Sequence, residues 1–499
     1  MTLAITGRDL TIDDVVRVAR EGQRVALSAP ARMQMKRSRT VVERAAARGD
    51  EVYGLTTGVG VFKRARLTAA DVAEFNRRLL VNHRVAQGPP VPADVARATM
   101  LRLANGFASG HPGVRVELAE RLVDALNGGD TPVVRRFGSP GLADLAPMAD
   151  LAEALFAGLE LEAGEGLALL NNNAFSTGAA ALALHDARRL LDGADAAAAL
   201  SLEAFAANLT IIHPAVPASR PYPGLAAVVG RLRGLLDGSY LSQAGAARSL
   251  QDPASFRDVP QLHGAAWDAL TYAETQLGIE LNAGQGNPLV LPAEDRIISV
   301  ANYEVVPVAA ALDLVRIALA PVLTSSAERA SKLMQSPWSG LPDGLVGEPD
   351  SAASSADSGL SIYTIADEAL AGEARLLAQP VSFELVSSTG AQGIEDRATM
   401  APLGARRTAD MVGLGERVAA VELFVAAQAV ELRGRGPLGR GTGRLLELVR
   451  ERVPFVGPGD ALPDDLDALA ALVHSGEAAT LGRDEARAGK VRLDDALSG

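Results

Sequence analysis

The chain has 499 residues, enough for several domains or for one large helical assembly. Hydrophobic residues make up 48% and aromatic residues only 4%, and with Ala and Leu recurring throughout this favours helices packed through small side chains over a β-rich fold. Sixty Asp and Glu outnumber 48 Lys and Arg, for a formal charge of -12, and no dense basic run is present to neutralise phosphates, so nucleic acid is not expected as a partner.

In chain order, Thr11 with Asp14 and Thr68 with Asp71 have the spacing of capping boxes, each ahead of an expected helix. Val116, Ala119, Leu122, Val123 and Leu126 keep one apolar face at helical spacing, and Asn127-Gly128-Gly129 predicts its end. Longer helices are expected over 177–192, 260–280, 303–322, 358–379 and 408–434, lengths that suit a bundle core. The most apolar stretch, Val305 to Leu323, is interrupted by Asp313, Arg316 and two prolines, and reads as a buried helix, so no membrane partner is expected. The Ala-rich run near 194–200 is low in complexity but short, and the Ser/Gly/Asp-rich stretch 348–359 is the expected mobile segment. The first residues show no charged segment followed by an apolar core and a cleavage site, and cysteine is absent, which fits a cytoplasmic setting.

Chemistry has few anchors. The six histidines never pair at i, i+4 with a nearby acid, so no metal is expected, and the G-x-S-x-G elbow and the P-loop are both missing. What remains is a series of polar clusters. Tyr53-Gly54-Leu55-Thr56-Thr57-Gly58-Val59-Gly60 is a glycine-rich loop led by a phenol, and a phenol beside a ligand serves as a base if its pKa is lowered; the alternative is a surface turn with a packed Tyr. Asn76, Leu79, Asn82 and His83 follow on a helix, then Arg102 and Asn105, then Glu165 to Asn171 ending in three asparagines, then Gln251 to Arg257. Taken singly, such Asn and Gln residues cap backbone, and a lone Arg pairs with an acid.

Their order is more specific. The Tyr53 loop, N-x-x-L-x-x-N-H at Asn76, R-x-x-N ahead of Gly110, E-G-L-A-L-L-N, Q-D-P-x-S-x-R, Gly286 to Leu289, and the run from Glu395 to Pro402 together resemble the histidine and phenylalanine ammonia-lyase family over residues 8 to 435. The resemblance implies an all-α subunit with a long central helical bundle and a smaller N-terminal mixed region. Approximate divisions are 1–210, with the catalytic loop, and 211–499, with the bundle and C-terminal helices. It also implies a homotetramer whose active sites each draw on three chains. Carried over by position, Tyr53 is the base, Asn171 and Glu395 are catalytic polar groups, and Arg257, His83, Asn82 and Asn287 bind substrate. A guanidinium suits a carboxylate because its planar fork donates two parallel hydrogen bonds. A histidine at position 83 is commoner in relatives that accept polar rings.

One motif departs. The family cyclises Ala-Ser-Gly into 4-methylideneimidazol-5-one, whereas this chain has Gly138-Ser139-Pro140-Gly141-Leu142-Ala143-Asp144, one residue shorter and with no serine in the tripeptide's place. Ala143 has no leaving group, and Ser139 precedes Pro140, which has no N–H to close the ring. Ala254, Glu304, Ile394 and Asn172-Asn173 depart from the family pattern as well. The expectation is therefore no such cofactor and no ordinary deamination of histidine, tyrosine or phenylalanine. In its place stands a cofactor-free elimination, addition, isomerisation or cyclisation of an already activated small substrate, with Tyr53 as base, in specialised metabolism. A non-catalytic homologue that binds a ligand, and a conventional ammonia-lyase, remain as alternatives.

Overall fold

The computed structural model describes residues 2–346, 358–383 and 390–481. Helices dominate, as the Ala and Leu content predicts. Thr11 closes a capping box with Asp14 at the start of the helix Ile12–Ala19, each side chain bonding the other's backbone N–H. The second expected box forms differently. Thr68 donates its N–H and hydroxyl to Asp71, but Asp71 itself is the N-cap and the helix Val72–Asn82 begins after it. The helix Val116–Gly128 ends on Gly129 at φ 84, a left-handed conformation that costs glycine nothing.

The long helices are Ala174–Phe205, Val259–Glu280, Val306–Leu333 and Ala401–Arg433, with Tyr363–Leu377 between the last two. The Ala-rich run lies inside the first, where Ala197, Ala198 and Ala199 are fully buried. Small side chains there allow close packing against neighbouring backbone. The expected mobile stretch 348–359 falls almost wholly outside the described residues. Val306–Leu333 is long and apolar enough to cross a membrane, and just over half of its most apolar window is buried, as in the core helix of a folded domain.

Among the described residues, six strands of three or four residues make three two-stranded sheets: parallel between Leu3–Ile5 and Val25–Leu27, antiparallel between Gln87–Pro90 and Arg135–Phe137, and antiparallel between Leu289–Leu291 and Arg296–Ile298. The chain divides into two compact units. The first comprises Met1–His185, Tyr272–Asp313 and Pro380–Thr408; the second comprises Asp186–Thr271, Leu314–Gln379 and Ala409–Gly499.

In the first unit, the helix Ala93–Ala108 packs on Ile12–Ala19 and Val116–Gly128 and buries Met100, Leu101 and Leu103. Each such side chain contributes roughly 1.5–3 kcal/mol relative to exposure. The cluster Val41, Val42, Val52, Leu55 and Val290 anchors the base of the Tyr53 loop. The second unit contains an ion pair between Arg329 and Glu422, both fully buried.

Candidate active site

The Tyr53 loop is held from below. Val52 O accepts the N–H groups of Leu55, Thr56 and Thr57, and the Thr56 hydroxyl donates to Asp50 O at 2.6 Å. Gly54 sits at φ 66, and a Cβ there would collide with Leu167, so glycine is required at this point. The loop thereby presents Tyr53, half-buried, with its phenolic oxygen accepting the Gly60 N–H at 3.0 Å. Burial pushes the phenol above its ordinary value. The Gly60 bond opposes that shift and the nearby Glu395 carboxylate reinforces it.

Tyr53 lines a cavity of about 610 Å³ whose wall also includes His83, Asn171, Asn287, Tyr303 and Glu395. Five of the residues expected in the site, from segments far apart in sequence, thus meet in one hollow. His83 caps the helix Val72–Asn82, and its Nδ1 lies 2.7 Å from Leu79 O. A carbonyl only accepts, so Nδ1 is the donor in that contact and Nε2 is the ring nitrogen left for a ligand. Asn171 donates from Nδ2 to Asn287 O at 3.0 Å, and Asn287 accepts the Val300 N–H through its side chain at 2.9 Å.

Asn82 is exposed and does not line the cavity. Arg257 belongs to the second unit, close to its neighbour Asp258, and is not among the cavity residues. Other motif residues hold the framework. Asn76 donates to Leu161 O and Glu162 O and accepts the Gly166 N–H; Arg102 donates to Glu280 O and Ala283 O; and Glu165 forms a paired salt bridge with Arg115. Tyr303 and Arg397 enter the cavity wall without having been singled out from sequence. Arg397 lies two residues beyond Glu395, and its place inside the quoted run was the available signal. Burial raises the Tyr303 phenol, with Glu395 and Tyr53 adding to the shift.

The residues of the loop 138–144 do not fit the cyclised cofactor of the family. Leu142 lines the cavity as an apolar wall, and Ala143 is buried at φ 62 with no hydroxyl to eliminate. Ser139 is committed elsewhere, accepting the Gly141 N–H at 3.2 Å and donating to Asp144 at 3.1 Å.

Asp144 does not line the cavity. It is fully buried and accepts the Ser176 N–H and hydroxyl, each at 2.8 Å. Burial pushes its carboxyl up to about 6 against these hydrogen bonds. The folded state therefore holds the proton more tightly than the unfolded chain, and stability falls as pH rises from about 4 to 6, by about 3 kcal/mol. Above that window the loss is complete and constant. Asp367, pushed to about 8 chiefly by burial, adds a slope of the same sign over a wider range. Asp144→Asn is therefore expected to remove part of the pH dependence, read as a shallower fall in urea-unfolding free energy between these pH values. An unchanged slope contradicts the assignment.

The aromatic amino acid lyase family profile matches residues 10–158 and 156–451. The chain belongs to that family. It is 37% identical to histidine ammonia-lyase of Symbiobacterium thermophilum across 94% of this chain and 96% of the relative, and 33% identical to histidine ammonia-lyase of Caldanaerobacter subterraneus subsp. tengcongensis across 95% and 97%. Among solved structures, ergothionase from Treponema denticola, an ergothioneine-degrading enzyme, superimposes with a TM-score of 0.89 at 27% identity, covering 96% of this chain and 99% of that one. The helical ammonia-lyase fold expected from sequence is thereby observed. The expectation of a different, cofactor-free reaction on an activated substrate is corrected: similarity to histidine ammonia-lyases runs the length of the chain, and it supports the conventional reading that had been the last alternative. That expectation weighed one loop above the similarity of the whole chain.

Proposed function

We propose that this chain is an amino acid ammonia-lyase that takes a small, histidine-like substrate into the cavity around Tyr53 and removes its amine by α,β-elimination. The observation that carries the reading is the 37% identity to a histidine ammonia-lyase over nearly all of both chains. In the elimination, a base takes a proton from Cβ, the C–H electron pair becomes the new double bond, and the Cα–N pair leaves with the amine. The Tyr53 phenolate is the base, with the Gly60 N–H positioned to stabilise its charge. His83 Nε2 accepts from a ring N–H of the substrate, Glu395 pairs with the substrate ammonium, and the Asn171 side chain lies beside the reacting carbons. Asn287 holds Asn171 in place.

Arg257 anchors the carboxylate in this reading. Its contribution in this reading comes from a further copy of the chain, in a homotetramer with shared sites. A cytoplasmic enzyme with a small-molecule substrate and no nucleic-acid or membrane partner is part of the same proposal. The residues of the loop 138–144 do not fit the family's cyclised cofactor, and no step of this reading is routed through that group.

The test is to incubate the purified chain with L-histidine, L-tyrosine and L-phenylalanine and to follow ammonia together with absorbance of the unsaturated acid. Histidine is expected to be the preferred substrate, and ammonia release no greater than that of Tyr53→Phe from all three sinks the reading. Ergothioneine, a betaine of a sulfur-bearing histidine, is a second substrate reading. It is favoured by the likeness to ergothionase. Release of trimethylamine in place of ammonia distinguishes it.

A further inference from the structure

Glu395 and Arg397 stand on an irregular segment that has no ladder of its own before the helix Ala401–Arg433 begins. The loop 139–144 fixes it. Met400 N–H donates to Pro140 O at 2.8 Å, and the Thr399 hydroxyl donates to Gly141 O at 2.9 Å while accepting the Ala401 N–H at 3.2 Å. One fully buried side chain thus ties the loop to the first turn of a long helix. Beyond Gly141, the bonds continue through Ser139 and Asp144 to Ser176.

The clasp is closely fitted. Gly141 sits at φ 87, and a Cβ there would collide with the Thr399 hydroxyl. Ala143 at φ 62 and Met400 at φ 54 adopt left-handed backbone without being glycine, at a cost on the order of 1 kcal/mol each. Such strain persists only where the surroundings over-determine it, and here the Pro140 and Gly141 carbonyls do so.

We propose that Thr399 is a positioning residue that, by clasping the loop 139–144, sets Glu395 at its working distance from Tyr53. The proposal rests on Tyr53 being the base, but its test does not require turnover. The charged and titratable groups sharing the cavity with Tyr53 are Glu395, Asp396, Arg397, His83 and Tyr303. Of these, the Glu395 carboxylate raises the phenol. Loosening the segment lets that charge drift away and lowers the midpoint of Tyr53.

The full chain is titrated by phenolate absorbance, with the Tyr53 contribution isolated as the difference from Tyr53→Phe. Glu395→Gln is expected to lower the Tyr53 midpoint, Thr399→Val to lower it by a comparable amount, and Thr399→Ser, which keeps the hydroxyl, to leave it in place. If Thr399→Val does not fold, Thr399→Ala is read in the same way. An unmoved midpoint in the Thr399 variant, or equal shifts for Val and Ser, overturns the proposal, as does an unmoved midpoint in Glu395→Gln. Absence of amine release alongside these shifts counts against the lyase reading and leaves the clasp standing.

Discussion

Replacing Tyr53 with Phe is expected to lower kcat for amine release by about 10²- to 10⁴-fold, the usual contribution of a positioned general base, with a much smaller change in KM. The ring stays, so the loop packing stays, and only the oxygen that accepts the Gly60 N–H is lost. The pH dependence separates this from simple loss of a contact. Because burial and Glu395 raise the phenol above its ordinary value, the phenolate is a minor species at neutral pH. Wild-type kcat is therefore expected to climb roughly tenfold per pH unit through the neutral range, and the residual rate of Tyr53→Phe to lack that climb. Stopped-time ammonia assays across the pH range decide it; parallel profiles for the two proteins contradict the role of Tyr53.

The largest effect on stability is expected at Glu422. Its carboxylate accepts Arg329 Nε at 2.6 Å and Nη2 at 2.8 Å, together with the hydroxyls of Ser201 and Ser326. Both charged partners are fully buried. Glu422→Ala leaves the guanidinium in a low-dielectric interior with one remaining acceptor among the described residues, Ser255 O, at an expected cost of about 3–5 kcal/mol. Against a total of roughly 5–15 kcal/mol, that is a large share of the fold's margin. Replacing both residues, Arg329→Met with Glu422→Leu, is expected to recover much of the loss, because no uncompensated charge then remains. Urea unfolding of the two variants measures this, and a double variant no better than the single one contradicts it.

Much of the helical framework was legible because it rests on local patterns. The 260–280 expectation matches Val259–Glu280 closely, and Gly129 stops its helix where the Asn-Gly-Gly sequence indicates. Ala174–Phe205 extends thirteen residues past its expected end, because the Ala-rich run is a strong helix former that tertiary packing buries. The strands escaped notice because three residues are too few to show a two-residue period. In the site, Tyr53, His83, Asn171, Asn287 and Glu395 were legible through the order of weak motifs. Thr399 was not, since what gives it meaning is a hydrogen bond to Gly141, 258 positions away, and Tyr303 was not, since it joins Tyr53 and Glu395 only in the folded cavity. The loop 138–144 was over-read as function. Its residues do not fit the family's ring, since Ala143 has no hydroxyl, whereas the reaction class is supported by the likeness of the whole chain to its relatives.

The most direct measurement is amine release from L-histidine by the purified wild-type chain, made on protein whose intact mass has been recorded. The predicted result is ammonia and unsaturated acid in equal amounts over many turnovers, from a polypeptide whose mass equals that of its sequence. No release above the Tyr53→Phe background would contradict the ammonia-lyase assignment, and a chain lighter by two waters would contradict the reading of the loop.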